Sequence, residues 1–314
     1  MSTINPDVTA LTAAANSLRR LKPHYGERVI RGLLLLAAVV SVLTTFGIVI
    51  SLLIPSIEFF TEIPMGDFLF GTTWTPLFMN GEFGVLPLVS GTLVITGIAI
   101  IVAIPLGLGS AIYLSEYASL RVRKVLKPTL EVLAGIPTVV FGFFALEFLT
   151  QLILVKIFPG IEVFNALSAG IIMGIMIIPT IASLSEDAMA AVPSGLRDGA
   201  YALGSTKRQT AMKVVIPAAL SGIVAAFVLG ISRAIGETMI VTIAAGLQPQ
   251  LTLNPLQGMQ TMTSYIAAAG SGDLATGSIE YKSIFAVGLL LFILTFVMNV
   301  FSIRLVRRFR QVYQ

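Results

Sequence analysis

Residues 184–217 read LSEDAMAAVPSGLRDGAYALGSTKRQTAMKVVIP, a charged, turn-bearing segment between apolar runs at about 164–184 and 216–246. Each run is long enough to cross a hydrocarbon core of roughly 30 Å. Leu184 to Val192 extends the preceding helix in this reading, Pro193, Ser194 and Gly195 form a turn, and Leu196 to Leu203 form a short helix. Gly204 stands where a helix C-terminal cap is expected, and Thr206 to Gln209 has the spacing of a capping box. Helix connections are usually short, so one of about 30 residues needs a reason. The predicted product is a small helix lying sideways under the membrane. With no lipid to bury against, it suits docking on a soluble partner.

The rest of the chain supports a membrane setting. Of 314 residues, 56% are hydrophobic and only 11% charged, whereas soluble domains carry about a quarter charged residues. Six stretches reach spanning length, at about 30–54, 86–114, 131–155, 164–184, 216–246 and 282–303. The expected fold is therefore all-α and integral to the lipid bilayer. A formal net charge of +4 does not imply nucleic acid here, because the charges are sorted by connection. Arg19, Arg20, Lys22, Arg28 and Arg31 precede the first span; Arg121, Arg123, Lys124 and Lys127 fill the second connection; Arg197, Lys207, Arg208 and Lys213 fill the fourth. Arg304, Arg307, Arg308 and Arg310 follow the last span, whereas the first connection has Glu58, Glu62, Asp67 and Glu82 and no lysine or arginine. The positive-inside rule then predicts cytoplasmic termini and an acidic first loop outside.

The first run follows a polar arm, 1–29, that contains a possible surface helix, LTAAANSLRRL. It ends at LIPSIEFF without a small-residue cleavage pattern, so it is expected to be a retained span. With no cysteine and a single histidine, His24, the chain offers no disulfide framework, thiol chemistry, histidine-ligated metal site or His-based triad. Pro105, Pro137 and Pro179 are placed inside spans two, three and four, where a missing backbone donor bends a helix.

Two charges stand out in span five. Within GISRAIGETMI, 230–240, Arg233 and Glu237 are the only charged residues between Val214 and Gly272. Arg233 is 16 residues beyond Pro217, about 24 Å along a helix, which puts both charges in the outer half of the core. Each costs about 2.5–3.5 kcal/mol near a helix centre, so they must face protein or water. A four-residue spacing lets them pair on one helix face. An apolar pair would cost less than a neutralised ion pair, so stability alone does not account for them. The other reading is that Arg233 supplies positive potential to a crossing oxyanion, with Glu237 holding and partly neutralising it. Glu147 in span three, near Thr150 and Gln151, is a further carboxylate, either interfacial or part of a path.

The 184–217 loop resembles the cytoplasmic signature of ABC importer permeases: Glu-Ala-Ala, a glycine four residues later, and a closing aliphatic-x-aliphatic-Pro. Here the pattern falls on Asp198, Gly199 and Ala200, then Gly204, then Val214, Ile216 and Pro217, with Asp198 in place of glutamate and Gly199 in place of alanine. FGTTWTP (70–76), GVLPLVSGTLVITGIAI, EVLAGIPTVVFGF and SRAIGETM further resemble the PstC-type permeases of phosphate-specific transport. The resemblance implies a six-span domain, 30–303, with a cytoplasmic coupling loop, 185–215, and a basic tail, 304–314. It also implies a second permease subunit, two cytoplasmic ATPase subunits and an extracytoplasmic phosphate-binding protein, with Arg233 and Glu237 associated with translocation. The outer surface around Trp74, Thr72, Thr73, Thr75 and residues 247–260 would receive the binding protein, or is ordinary packing.

No phosphate-loop motif occurs in the chain, so no cofactor is expected on it, and ATP and magnesium would be bound by the partner ATPase. The expected function is a non-enzymatic permease subunit for inorganic phosphate in a plasma (inner) membrane. A permease for another oxyanion and an ion-coupled secondary transporter using Glu237 or Glu147 are the alternatives.

Overall fold

The computed structural model describes residues 25–78 and 81–309. The arm before Tyr25 and the tail beyond Phe309, with their expected roles, lie outside the described residues. The chain forms two compact units, 1–51 and 52–314. The first is described from Tyr25 as the opening part of helix α1 (Tyr25–Glu62), and the second carries all the later elements.

Among the described residues the structure is nearly all helical, with six helices long and apolar enough to cross a membrane. Besides α1 these are α3 (Leu86–Tyr117), α5 (Thr138–Ile157), α6 (Ala166–Ala190), α8 (Lys207–Ile235) and α11 (Ile279–Phe309). Shorter helices are α2 (Met65–Phe70), α4 (Leu120–Ala134), α7 (Ser194–Ala202), α9 (Met239–Ala244) and α10 (Met262–Gly270).

The core is the seam between α3 and α6. In lipid there is little hydrophobic gain from bringing helices together, so close packing has to hold them. Small residues make that possible: Gly170 lies against Ile98, Gly174 against Val102, and Gly107 against Ile181. Ile95, Ala99, Ala103, Met173 and Ile177 fill the seam completely. A second cluster gathers Phe59, Phe68, Trp74, Phe83 and Tyr265, with Trp74 set edge-on to Tyr265 at 4.8 Å between centroids. Gly71 and Gly84 pass so closely there that a side chain on either would strike the other's backbone. This accounts for the glycines in FGTTWTP and GVLPLV.

Two expected boundaries are corrected. Span three begins at Thr138, not near 131, because residues 120–134 form the separate, amphipathic α4. Pro137 is accordingly the N-cap of α5 and not an interior kink. A proline lacks the N–H that a helix interior requires, so it favours a helix start. Pro105 and Pro179 do lie inside α3 and α6. Span five does not run unbroken over 216–246, as its apolar length predicts, but is interrupted after Ile235.

Charged contacts tie the α7 end of the bundle together. Glu186 on α6, fully buried, receives Arg123 and Lys127 from α4, with the Lys127 Nζ at 2.7 Å, and Lys127 also reaches Asp187 at 2.5 Å. A buried carboxylate is tolerable only when such partners replace its hydration. Burial opposes the Lys127 charge, but hydrogen bonds to Asp187 and Glu186 and the attraction of both carboxylates outweigh it, holding the ammonium above its usual 10.5. A raised lysine pKa contributes stability below the unfolded value, and that contribution is lost as pH climbs through the folded one. The lysine's part in this contact is therefore constant across neutral pH and is lost in alkali.

Candidate functional site

The break in span five creates the site. Gly236 ends α8 and α9 begins at Met239. The Glu237 side chain turns into the gap: its Oε1 accepts the Met239 N–H at 3.1 Å and the Ile240 N–H at 3.3 Å. These are N–H groups that a helix start leaves without internal partners, and a carboxylate there also meets the positive end of the peptide dipoles. The Glu237 carbonyl, freed by the break, accepts the Thr263 hydroxyl at 2.6 Å. Backbone that leaves the helix at membrane depth is thus satisfied by protein, as it must be.

Arg233 occupies the last turn of α8, half-buried, and its Nη1 donates to the Thr180 Oγ1 of α6 at 3.2 Å. The expectation that Arg233 and Glu237 pair along one helix face is not met. No ion pair joins them among the described residues. The four-residue spacing counts only while the helix continues, and Gly236 ends it. Arg233 thereby keeps its positive potential without a neutralising carboxylate, beside a discontinuous helix of the kind that commonly borders ion sites. Thr92 and Thr96 of α3, Met173 of α6, Glu237, Thr261 and Thr263 close around the break so tightly that no water-sized space remains. Glu237 retains only 9% of its exposure.

The 184–217 loop forms the short helix and caps that its signals predict, except that the helix starts at Ser194, inside the expected Pro193–Gly195 turn, and ends at Ala202. Pro193 caps α7, Gly204 adopts a φ of +81° just beyond it, and Thr206 and Gln209 form a reciprocal capping box at the start of α8. Asp198, Gly199 and Gly204 are exposed, whereas Ala200 is buried against the loop. Pro217 sits just past a π-helical turn, Ala211–Val215, in which the Ile216 N–H reaches back to the Ala211 carbonyl. A wider turn accommodates a residue that cannot donate.

Three contributors escape the sequence reading. Arg197, which counts there only as a topological charge, donates to the Val192 and Met189 carbonyls, both at 2.7 Å, and pairs with Glu116 of α3 at 3.1 Å. It therefore fastens α7 to the ends of α3 and α6. Glu116 is 8% exposed, and its place at the end of an apolar run is the available hint. Leu203, at the tip of α7, is 89% exposed. At the other end of the bundle Trp74 is 1% exposed, so its role there is packing. Glu147 is exposed on α5, while Thr150 beside it is buried and accepts from Asn165 at 3.2 Å.

Comparison with known proteins agrees with this geometry. Residues 103–311 match the family described as binding-protein-dependent transport system inner membrane component. The chain is 32% identical over 283 residues to the phosphate transport system permease protein PstC of Haemophilus influenzae, covering 84% of this chain and 88% of that protein. It is 38% identical over 231 residues to a probable ABC transporter permease protein, YqgH, of Bacillus subtilis, covering 73% and 74%. Among solved structures, a bacterial ABC transporter involved in alginate import superposes with a TM-score of 0.62 at 16% identity, covering 91% of this chain and 99% of that one. At that identity the likeness concerns the fold.

Proposed function

Because the chain belongs to the family of binding-protein-dependent transport system inner membrane components, an ABC importer permease by its fold, we propose that it passes inorganic phosphate inward across the membrane. The observation that carries this reading is Arg233 at the broken helix, unneutralised and directed at Thr180. A guanidinium remains charged and matches phosphate oxygens in a fork. Glu237 supports the site by capping α9 and shaping the gap, not by pairing with the arginine.

In this proposal a second permease subunit completes the path, two cytoplasmic ATPase subunits supply the work, and an extracytoplasmic phosphate-binding protein delivers substrate. ATP and magnesium belong to the ATPase. The basic connections favour cytoplasmic termini and a cytoplasmic α7. Asp198, Gly199, Ala200, Gly204 and Pro217 form and present the coupling element, with Leu203 at its tip. Movement of α7 would pass through Arg197 to the ends of α3 and α6. Those helices carry Thr92, Thr96 and Met173, which close the gap, and Thr180, which holds Arg233. A push on the loop can therefore open the seam that surrounds Glu237.

The test is ATP hydrolysis by the complex recovered with the tagged chain and reconstituted in liposomes, with and without phosphate-loaded binding protein. Stimulation by the phosphate-loaded form, and not by one loaded with another oxyanion, is expected. An ATP-independent uptake that collapses with uncouplers would replace this reading with ion-coupled transport.

A further inference from the structure

No residue of α4 is buried. Arg123 and Lys127 tie it to Glu186 of α6, and the rest of its surface is left open. At about 100° per residue that surface divides in two. Arg121, Lys124 and Glu131 share one side, and Val125, Leu126, Val132 and Leu133 the other, all exposed. A helix with one basic and one apolar face lies flat at the edge of a bilayer, its apolar side in the acyl boundary. Tyr113 and Tyr117, exposed at the adjoining end of α3, fit the same level, since tyrosine collects where hydrocarbon meets headgroups.

Between α4 and α3 runs an apolar groove of about 470 Å³, lined by Pro105, Leu106, Gly109 and Tyr113 on one wall and by Leu126 and Leu130 on the other. From Pro105 to Tyr113 it follows about 12 Å of a spanning helix, so it reaches from hydrocarbon to the interface. Gly109 keeps it open, because a side chain there would start with nothing within 4 Å.

We propose that α4 and this groove form a seat for anionic phospholipid. An acyl chain fills the groove against Gly109, and Arg121 and Lys124 draw negatively charged headgroups to the helix. The groove alone would take any acyl chain, so the two cations make the choice. Both are exposed and join no ion pair among the described residues, which leaves their charge to act on headgroups. Glu131, the acid on their side, is seven residues from Lys124, about two turns away. Cations gathered on the water side, with none on the apolar side, suit a lipid surface. Assignment to the cytoplasmic leaflet rests on the cytoplasmic α7 proposed above, but the binding itself does not.

The test uses the whole complex recovered with the tagged chain, in lipid nanodiscs of phosphatidylcholine holding a small fraction of a diazirine-acyl probe, either phosphatidylglycerol or phosphatidylcholine. After irradiation, residues 105–130 of the unsubstituted chain are expected to carry at least threefold more adduct from the phosphatidylglycerol probe. Arg121→Gln combined with Lys124→Gln is expected to bring the two probes to parity. Gly109→Leu, which fills the groove, is expected to cut both adducts at least fivefold there while adduct elsewhere on the chain is unchanged. Equal adduct from the two probes on the unsubstituted chain would overturn the proposal. So would the absence of adduct from 105–130 with both probes, the result expected where protein covers this face, or unaltered yields in either variant. If Gly109→Leu changes adduct throughout the chain, the charge variant, which touches only exposed side chains, decides. Nanodiscs present both leaflets, so the outcome is independent of orientation, and phosphate-stimulated ATP hydrolysis on the same discs tests the import reading separately.

Discussion

Arg233→Gln is expected to cut phosphate uptake by roughly 10- to 150-fold while the subunit still inserts and assembles. Glutamine removes the charge but keeps a donor that can reach Thr180, which is the only hydrogen bond of this side chain among the described residues. The folded structure therefore loses little. A hydrogen bond to a charged group is worth about 1.5–3 kcal/mol, which sets that range if the interaction is made chiefly as the anion passes. Arg233→Lys preserves charge without the planar fork and is expected to fall between the two. Uptake of labelled phosphate into proteoliposomes, normalised to the amount of complex, measures all three. Equal rates for the unsubstituted and Arg233→Gln chains would remove the arginine from the path, leaving the broken helix without a transport role.

The second large effect is expected at the loop. Gly204→Val combined with Asp198→Ala should abolish ATP-driven uptake with normal insertion. Gly204 has a φ of +81°, a conformation that costs an ordinary residue about 1–2 kcal/mol and a β-branched one more. Relief of that strain would swing Leu203 away from the position in which it is displayed. Asp198 is exposed and makes no ion pair among the described residues, so its removal leaves nothing unsatisfied in this chain and tests contact with the partner. The readouts are the ATPase activity recovered with the tagged subunit and uptake per complex. Full uptake in the double variant would show that force does not enter through α7.

Both predictions draw on features that differ in how openly the sequence displays them. Six spans and the capped loop helix are legible, though not the start of span three or the end of span five, because they follow from local rules: run length, proline and glycine placement, and the spacing of Thr206 and Gln209. Arg233 and Glu237 are legible as an anomaly, since charges in an apolar run are conspicuous whatever the fold. Their relationship is not. The spacing of four suggests a pair, but whether a helix continues through Gly236 depends on what waits on the far side. Here the Glu237 carboxylate meets the N–H groups of α9 and the Thr263 hydroxyl meets the freed carbonyl. Those bonds come from residues as many as 26 positions apart, a separation that no local pattern reports.

The same division runs through the charged contacts at the α7 end. Composition, the length of the apolar runs and the order of the charges along the chain determined that this is an all-helical membrane protein with basic connections, because hydrocarbon admits only self-satisfied backbone and excludes charge. Which charges meet was decided only in three dimensions: Arg197 finds Glu116 across 81 residues, and Lys127 finds Glu186 across 59. Partner choice of this kind depends on which helices pack side by side. Packing in turn rests on glycine and alanine seams that, in a sequence rich in both, carry no address of their own.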